Sequence, residues 1–454
     1  MHPWIGAGSE DRRRILAELS LESIDELFAS IPPAVCIERL DLPAGMDEDS
    51  IARSFGEMSA ANVAMDSLPC FLGAGVYNHV QPSVVDAVLS RAEFFTSYTP
   101  YQPEISQGTL QAVFEFQTLI SRLTGMEVAN ASLYDGATAL VEAALFSHRV
   151  ARGKRNRVVV AETVHPMYRR VLETYADAAG LEIVVVLPDD DGRLDPDRVR
   201  HAAGAESCCV AIQSPNFLGI IEDLPRLAEA AHTAGALAVQ VIAEAVSLGL
   251  LSGGGAFDFD VVCGEAQSFG LAPGFGGPHL GFFACSRKLV RQMPGRLAGQ
   301  TVDEDGKRSF CLTLSTREQH IRRAKATSNI CTNQGLMALA ATVWLETIGG
   351  NGLRELATSC LARCEELKRR IAALDGTWRL AYPSAPTFNE FLLLGPGASA
   401  GAEIVDRLAA EGVLAGVPAA SWGGSWPDGI LVAVTERSSA KDIETLVDAL
   451  GQAS

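Results

Sequence analysis

The chain has 454 residues, 48% hydrophobic and 20% charged, an ordinary globular composition that excludes long disordered stretches. That length exceeds what one hydrophobic core supports and sets an expectation of roughly two or three domains. A net charge of −18 argues against a polyanion as partner, because neutralising phosphates needs clustered lysine and arginine.

The 10 cysteines are scattered, with no C-x-x-C and no Cys/His spacing suited to zinc. Cys208 and Cys209 are adjacent within an apolar strand, and Cys360 and Cys364 lie one helical turn apart. Buried, reduced thiols are the expectation. The first residues, Met1-His-Pro-Trp-Ile, lack the charged start and apolar core of a signal peptide, and no apolar run reaches membrane-spanning length. A soluble, cytoplasmic protein is expected.

In chain order, Ser9 is placed to cap a helix running to about Ser30, with a capping box at Ser23-Ile-Asp-Glu26, until Ile31-Pro-Pro33 stops it. An amphipathic segment, Asp47 to Met58, completes an N-terminal helical arm over residues 1–69. Residues 70–330 read as a large α/β domain. Apolar runs at Val158-Val160, Ile183-Leu187, Cys208-Ile212, Ala236-Ile242 and Phe259-Cys263 alternate with helices at Met167-Ala179, Asp195-Ala203 and Leu224-Ala234. Such alternation predicts a mostly parallel sheet covered on both faces. Pro188-Asp-Asp-Asp-Gly-Arg193 reads as a turn, not a metal site, since Asp and Gly supply turn geometry. Residues 331–454 form a small C-terminal α+β domain with its linking helix, broken at Gly349-Gly-Asn-Gly352.

The functional reading turns on Phe259 to His279. A short apolar strand leads into a loop with Gly270, Gly274, Gly276 and Gly277, and a second strand starts at Leu280. Glycine so concentrated lets a backbone take positive φ and approach a ligand or another chain. Enzymes that hold pyridoxal phosphate as a Schiff base place a lysine at such a strand end, since only a primary amine forms that bond. Here the loop reads Glu265-Ala-Gln-Ser-Phe269. Covalent pyridoxal chemistry from this position is excluded.

Other stretches carry chemistry in outline. In the loop from Thr96 to Gln111, Tyr98, Tyr101 and Glu104 suit a pocket or a subunit interface as well as simple packing, and Ser106 or Thr109 can cap the next helix. Gly136, Ala137 and Thr138 open a helix whose N-terminus can cradle a phosphate. His165, just past a strand end, can stack on a ring or merely pack; Glu244 can pair with a pyridinium nitrogen or cap a loop. Lysine occurs only at positions 154, 288, 307, 325, 368 and 441. Lys325 lies in the basic stretch Thr316 to Asn333, where Arg322 and Arg323 make an ion-pair role equally open.

The motifs Tyr98-Thr-Pro-Tyr-Gln-Pro-Glu-Ile-Ser-Gln-Gly108, Phe269-Gly-Leu-Ala-Pro-Gly-Phe-Gly-Gly-Pro-His279, Met293-Pro-Gly-Arg296, Thr316-Arg-Glu-Gln-His-Ile-Arg-Arg323 and Lys325-Ala-Thr-Ser-Asn-Ile-Cys331 closely resemble the glycine cleavage system P-protein family, glycine dehydrogenase (decarboxylating). The resemblance covers nearly the whole chain and is to the amino-terminal half type, which many bacteria carry as a separate subunit 1. It implies an aspartate aminotransferase-like fold of the PLP-dependent transferase type I. It implies a reaction in which glycine, joined to pyridoxal phosphate, loses carbon dioxide and passes its aminomethyl group to the lipoyl arm of H-protein.

In the catalytic half of the family a His-Lys pair stands where Gln267 and Ser268 stand here. The resemblance therefore implies that subunit 2 brings lysine and cofactor in an α2β2 heterotetramer, with no catalytic residue in this chain alone and no metal. This chain would support the partner's site through Tyr98, Tyr101, Glu104, Ser106, Gly276, Gly277 and His279. Gly136, Ala137, Thr138, His165, Glu244, Gln267 and Ser268 would line a vestigial cofactor pocket; Glu244 stands where the family often carries aspartate, and the longer glutamate suits the cofactor less well. The rival readings are a stand-alone pyridoxal enzyme using Lys325 or Lys288, and a non-catalytic scaffold.

Overall fold

A computed structural model gives the fold. It describes all residues except 1–5, 7, 38, 39, 275, 331, 375–377, 396–400, 453 and 454. Phe275 and Cys331, which fall within two of the motifs, therefore lie outside the described residues, as does the whole Met1-His-Pro-Trp-Ile start.

Two compact units divide the chain, Met1–Val63 and Ala64–Ser454. The first carries α1 (Ser9–Glu18) and α2 (Glu48–Ala60). Ser9 is the first residue of α1 and not its cap; Gly8 precedes the helix without a side-chain bond, a correction to the expected start. Asp47 does cap α2, accepting from the Ser50 N–H at 2.8 Å. Glu26 accepts from the Ser23 N–H, but the box closes only a single 3-10 turn, Ile24–Phe28, so the predicted helix does not run through. No described residue of this unit is buried.

The second unit begins with α3 (Ser83–Leu89), the single turn α4 (Ala92–Phe95) and α5 (Gln107–Thr124). Ser106 precedes α5 but makes no capping bond, and Thr109 lies inside the helix, so neither caps it as expected. Next come β1 (Val128–Ala129), α6 (Gly136–Val150), β2 (Arg157–Ala161), α7 (Pro166–Ala179), β3 (Glu182–Val186), α8 (Pro196–Ala202), β4 (Ser207–Gln213), α9 (Leu224–Thr233), β5 (Leu237–Ile242), β6 (Val261–Glu265) and β7 (Gly281–Cys285).

These strands form one sheet in the order β1-β7-β6-β5-β4-β2-β3. β2 to β6 pair in parallel, while β7 is antiparallel to β6 and to β1. β4, β6 and β7 are buried throughout, as strands covered on both faces must be.

A hairpin, β8 (Leu297–Val302) with β9 (Arg308–Thr313), and the short α10 (Gln319–Arg322) follow. The helix α11 (Gly335–Ala372) is bent where Gly349 takes φ 62° and ψ 179°. An antiparallel sheet closes the chain: β10 (Arg379–Leu380), β11 (Glu390–Leu394), β12 (Val417–Pro418) and β13 (Ile430–Ala433), with α12 (Gly401–Ala410) and α13 (Ala440–Gln452). One core lies around the seven-stranded sheet and the first part of α11; a second lies between the rest of α11, the antiparallel sheet, α12 and α13. The described cysteines are free thiols, and Cys208, Cys209, Cys360 and Cys364 are buried. Among the described residues no helix is long and apolar enough to cross a membrane.

Candidate functional site

In an open α/β sheet, sites form beyond the carboxyl ends of the strands. At that end of β6 stands Glu265, 2% exposed. Its carboxylate accepts from the backbone N–H groups of Gly136 at 3.0 Å, Gln267 at 3.0 Å and Leu280 at 2.8 Å. Gly136 is the first residue of α6, so a fixed negative charge occupies the positive end of that helix. Close approach makes this possible: a Cβ on Gly136 would stand 2.4 Å from the Tyr168 hydroxyl, and one on Gly281 would stand 2.4 Å from the Asp135 carbonyl oxygen. Thr138 N–H is taken by the capping carboxylate of Asp135 at 2.7 Å, and Ala137 is buried. His279 Nδ1 lies 3.6 Å from Glu265, and this carboxylate raises the imidazole pKa above its usual value.

The stretch Gly73 to His79 runs across the remaining candidates. His165 Nδ1 accepts from the Met167 N–H, so the proton sits on Nε2, which donates to the Ala74 carbonyl at 2.8 Å. Burial lowers the His165 pKa to about 4, so the ring is neutral. It stacks on Tyr168 with centroids 4.7 Å apart. Gln267 accepts from the Tyr77 N–H at 3.0 Å and donates to the carbonyls of Tyr77 and Leu271. Ser268 is buried, and its hydroxyl has no hydrogen-bond partner.

Glu244 caps the turn after β5, accepting from the Val246 N–H at 2.9 Å, and meets His79 Nε2 at 3.0 Å. His79 Nδ1 meets Glu436 at 2.7 Å. Burial opposes charge on His79, yet Glu244, Cys360 and Glu436 outweigh it and hold the pKa well above the usual value.

The tyrosine loop lies elsewhere. Tyr98 is 77% exposed, and Glu104 is exposed while Ser106 is half-buried. Tyr101 accepts from Arg296 Nη2 at 3.1 Å, and the guanidinium carbon sits 5.4 Å from its ring centroid. Arg296, buried, also pairs with Glu318 at 3.4 Å, while Arg317 donates to the carbonyls of Met293 and Gly295. Three of the motifs thus meet in one knot. Beside it is a cavity of about 130 Å3 lined by Phe94, Tyr98, Pro100, Val113, Arg296 and Leu339. Gly276 and Gly277 stand exposed at φ 90° and 138°. Sequence reasoning missed Glu265, His79, Arg296 and Glu318 as site residues. Glu265 carried a local signal as the last residue of β6, two before Gln267, and Arg296 and Glu318 lay within motifs; His79 carried none.

Lys288 pairs with Asp260, at the opposite end of β6 from Glu265 and about 16 Å away at strand rise. A hollow of about 580 Å3 opens there, away from the strand ends that hold ligands. Lys325 is exposed on the turn Arg323–Lys325. Asp189 accepts from the N–H groups of Asp191 and Arg193, so the acidic run is a turn. Among the described residues, His79, Cys360 and Glu436 bring metal-type ligand atoms within 4.8 Å, and those atoms bond one another.

The profile of the family described as glycine cleavage system P-protein matches residues 2–450. The chain belongs to the glycine cleavage system P-protein family. A relative from Thermomicrobium roseum named probable glycine dehydrogenase (decarboxylating) subunit 1 is 48% identical over 445 residues, covering 98% of each chain. One of the same name from Azorhizobium caulinodans is 50% identical over 436 residues, covering 95% of each. The solved structure described as glycine decarboxylase (P-protein) of the glycine cleavage system, in inhibitor-bound form, superposes with TM-score 0.86 at 41% identity, covering 99% of each chain. A sphingosine-1-phosphate lyase of Burkholderia pseudomallei, at 17% identity, TM-score 0.67 and coverage of 92% and 93%, shares the fold alone.

Pyridoxal phosphate, which this fold type implies, does not fit the residues present. No amine stands at the end of β6, the α6 amide of Gly136 already serves Glu265, and both Gln267 and Glu244 are bonded to the Gly73 to His79 stretch.

Proposed function

We infer that this chain is the supporting subunit of a glycine-decarboxylating enzyme, working with a subunit 2 that holds the pyridoxal phosphate and its lysine. One observation carries the reading. Full-length likeness to relatives named subunit 1 coincides with a strand end bearing Gln267 and Ser268 in place of an amine.

The Tyr98 to Ser106 and Gly270 to His279 loops face the partner's site in this reading, excluding water and presenting aromatic surface and hydroxyls. Arg296, held by Glu318, fixes the Tyr101 hydroxyl. The aminomethyl group passes to the lipoyl arm of H-protein, the assembly is α2β2, and it works in the cytoplasm.

The test is reconstitution. The purified chain alone is expected to show no pyridoxal absorbance and no glycine–bicarbonate exchange, and adding subunit 2 is expected to give exchange. Strong exchange by this chain alone overturns the reading.

A further inference from the structure

A phosphorylated pyridine ligand offers three handles: an anionic phosphate, a protonatable ring nitrogen and a reactive carbon. The strand end meets each with a group of its own. At the α6 N-terminus, where dipole and amides favour an anion, the anion is the Glu265 carboxylate, held by three backbone N–H groups. Opposite Glu244, the ring nitrogen is His79 Nε2 at 3.0 Å. At the carbon end stand the Ser268 hydroxyl, buried without a partner, and Gln267, whose amide serves Tyr77 and Leu271. Between these ends passes main chain: Ala74 contacts His165, Tyr77 contacts Gln267, and a Cβ on Gly75 would stand 2.8 Å from the His165 ring.

We propose that the strand end is closed from within, Glu265 standing in for a phosphate and His79 for a ring nitrogen, so that returning a lysine does not return the cofactor. The proposal rests on the reading of the chain as a supporting subunit and goes a step beyond it. A missing lysine by itself leaves a non-covalent site behind; closure leaves none.

The probe is pyridoxamine phosphate, which needs no lysine, titrated calorimetrically into the wild-type chain. No saturable uptake at millimolar ligand is expected; binding of one ligand per chain overturns closure. In the second arm, Ser268→Lys is incubated with pyridoxal phosphate, reduced with borohydride and mapped by peptide. No label at position 268 is expected, and stoichiometric label there overturns closure. In the third, Glu265→Ala is expected to gain at least about tenfold in affinity for inorganic phosphate over wild type, because three amides lose their anion. A folded Glu265→Ala with no gain overturns the role of Glu265. Thermal melting shows which variants fold, and the wild-type titration decides if neither does. Exchange by the wild-type chain mixed with subunit 2 tests the supporting role separately and stands whichever way these arms fall.

Discussion

At the end of β6, Glu265, Gln267, His79 and Glu244 bond to groups of the same chain, and none is more than 7% exposed. On the tyrosine loop, Tyr98 and Ile105 stand 77% and 81% exposed, and Tyr101 leans on one buried arginine. Both regions carry family motifs, yet one is finished by the chain itself while the other presents apolar surface outward. The contrast teaches where to look for each kind of consequence. In the proposed reading, changes at the strand end are expected to act on folding, and changes on the loop on the enzyme assembled with subunit 2.

The sharpest way to break that contrast is His79→Ala. Removing the ring leaves Glu244 buried and Glu436 half-buried without the imidazole between them, and the loss is expected to be about 3–5 kcal/mol in denaturant unfolding. A loss under about 1 kcal/mol would show the cluster to be slack.

Glu390 sharpens the same side through pH. It accepts from the Ala74 N–H at 2.7 Å and the Tyr77 hydroxyl at 2.9 Å, and burial raises its pKa from 4.5 to about 7. A carboxyl raised on folding keeps its proton longer in the folded state than in the unfolded one. Its penalty is therefore absent below pH 4.5, grows as pH rises to 7, and stays in full above that. Relative to wild type, Glu390→Gln is expected to remove a fall on the order of 3 kcal/mol across that window. Parallel pH profiles for the two proteins would contradict it.

On the loop, Tyr98→Ala with Tyr101→Ala is expected to lower exchange by the reconstituted enzyme about 10- to 100-fold, equivalent to about 1.4–2.7 kcal/mol. The melting temperature of the chain alone should scarcely move. A large thermal shift with full activity would reverse the assignment of the two regions. The smallest effect belongs to Ser268→Ala: deleting a buried hydroxyl without a partner should leave stability unchanged or raise it by up to about 1 kcal/mol.

Much of the large sheet was legible because parallel strands buried on both faces write unbroken apolar runs, as Val158-Val160 and Cys208-Ile212 do. β1 was not, since two residues carry no period, and neither was the β8–β9 hairpin, whose outer end is exposed and mixed in composition. At the site, an absent amine is a local fact and could be read from Glu265 to Phe269. The bonds that fill the space could not. Gly136 reaches Glu265 from 129 positions away, and His79 reaches Glu244 from 165 away. Ser106 failed as a cap for the same kind of reason: its local pattern says nothing about Gln107, which bonds across to Phe310.

The helix α11 gives Cys360 to the core around the large sheet and Cys364, one turn on, to the core of the C-terminal sheet. A single rod is thus a spine for both cores, and the second draws Cys364, Leu367 and Ile371 from the helix that also packs on the first. Heat should take the two apart in one cooperative step, because Leu353, Ala357 and Cys360, beyond the bend at Gly349, still pack on the first core while the next turn packs on the second.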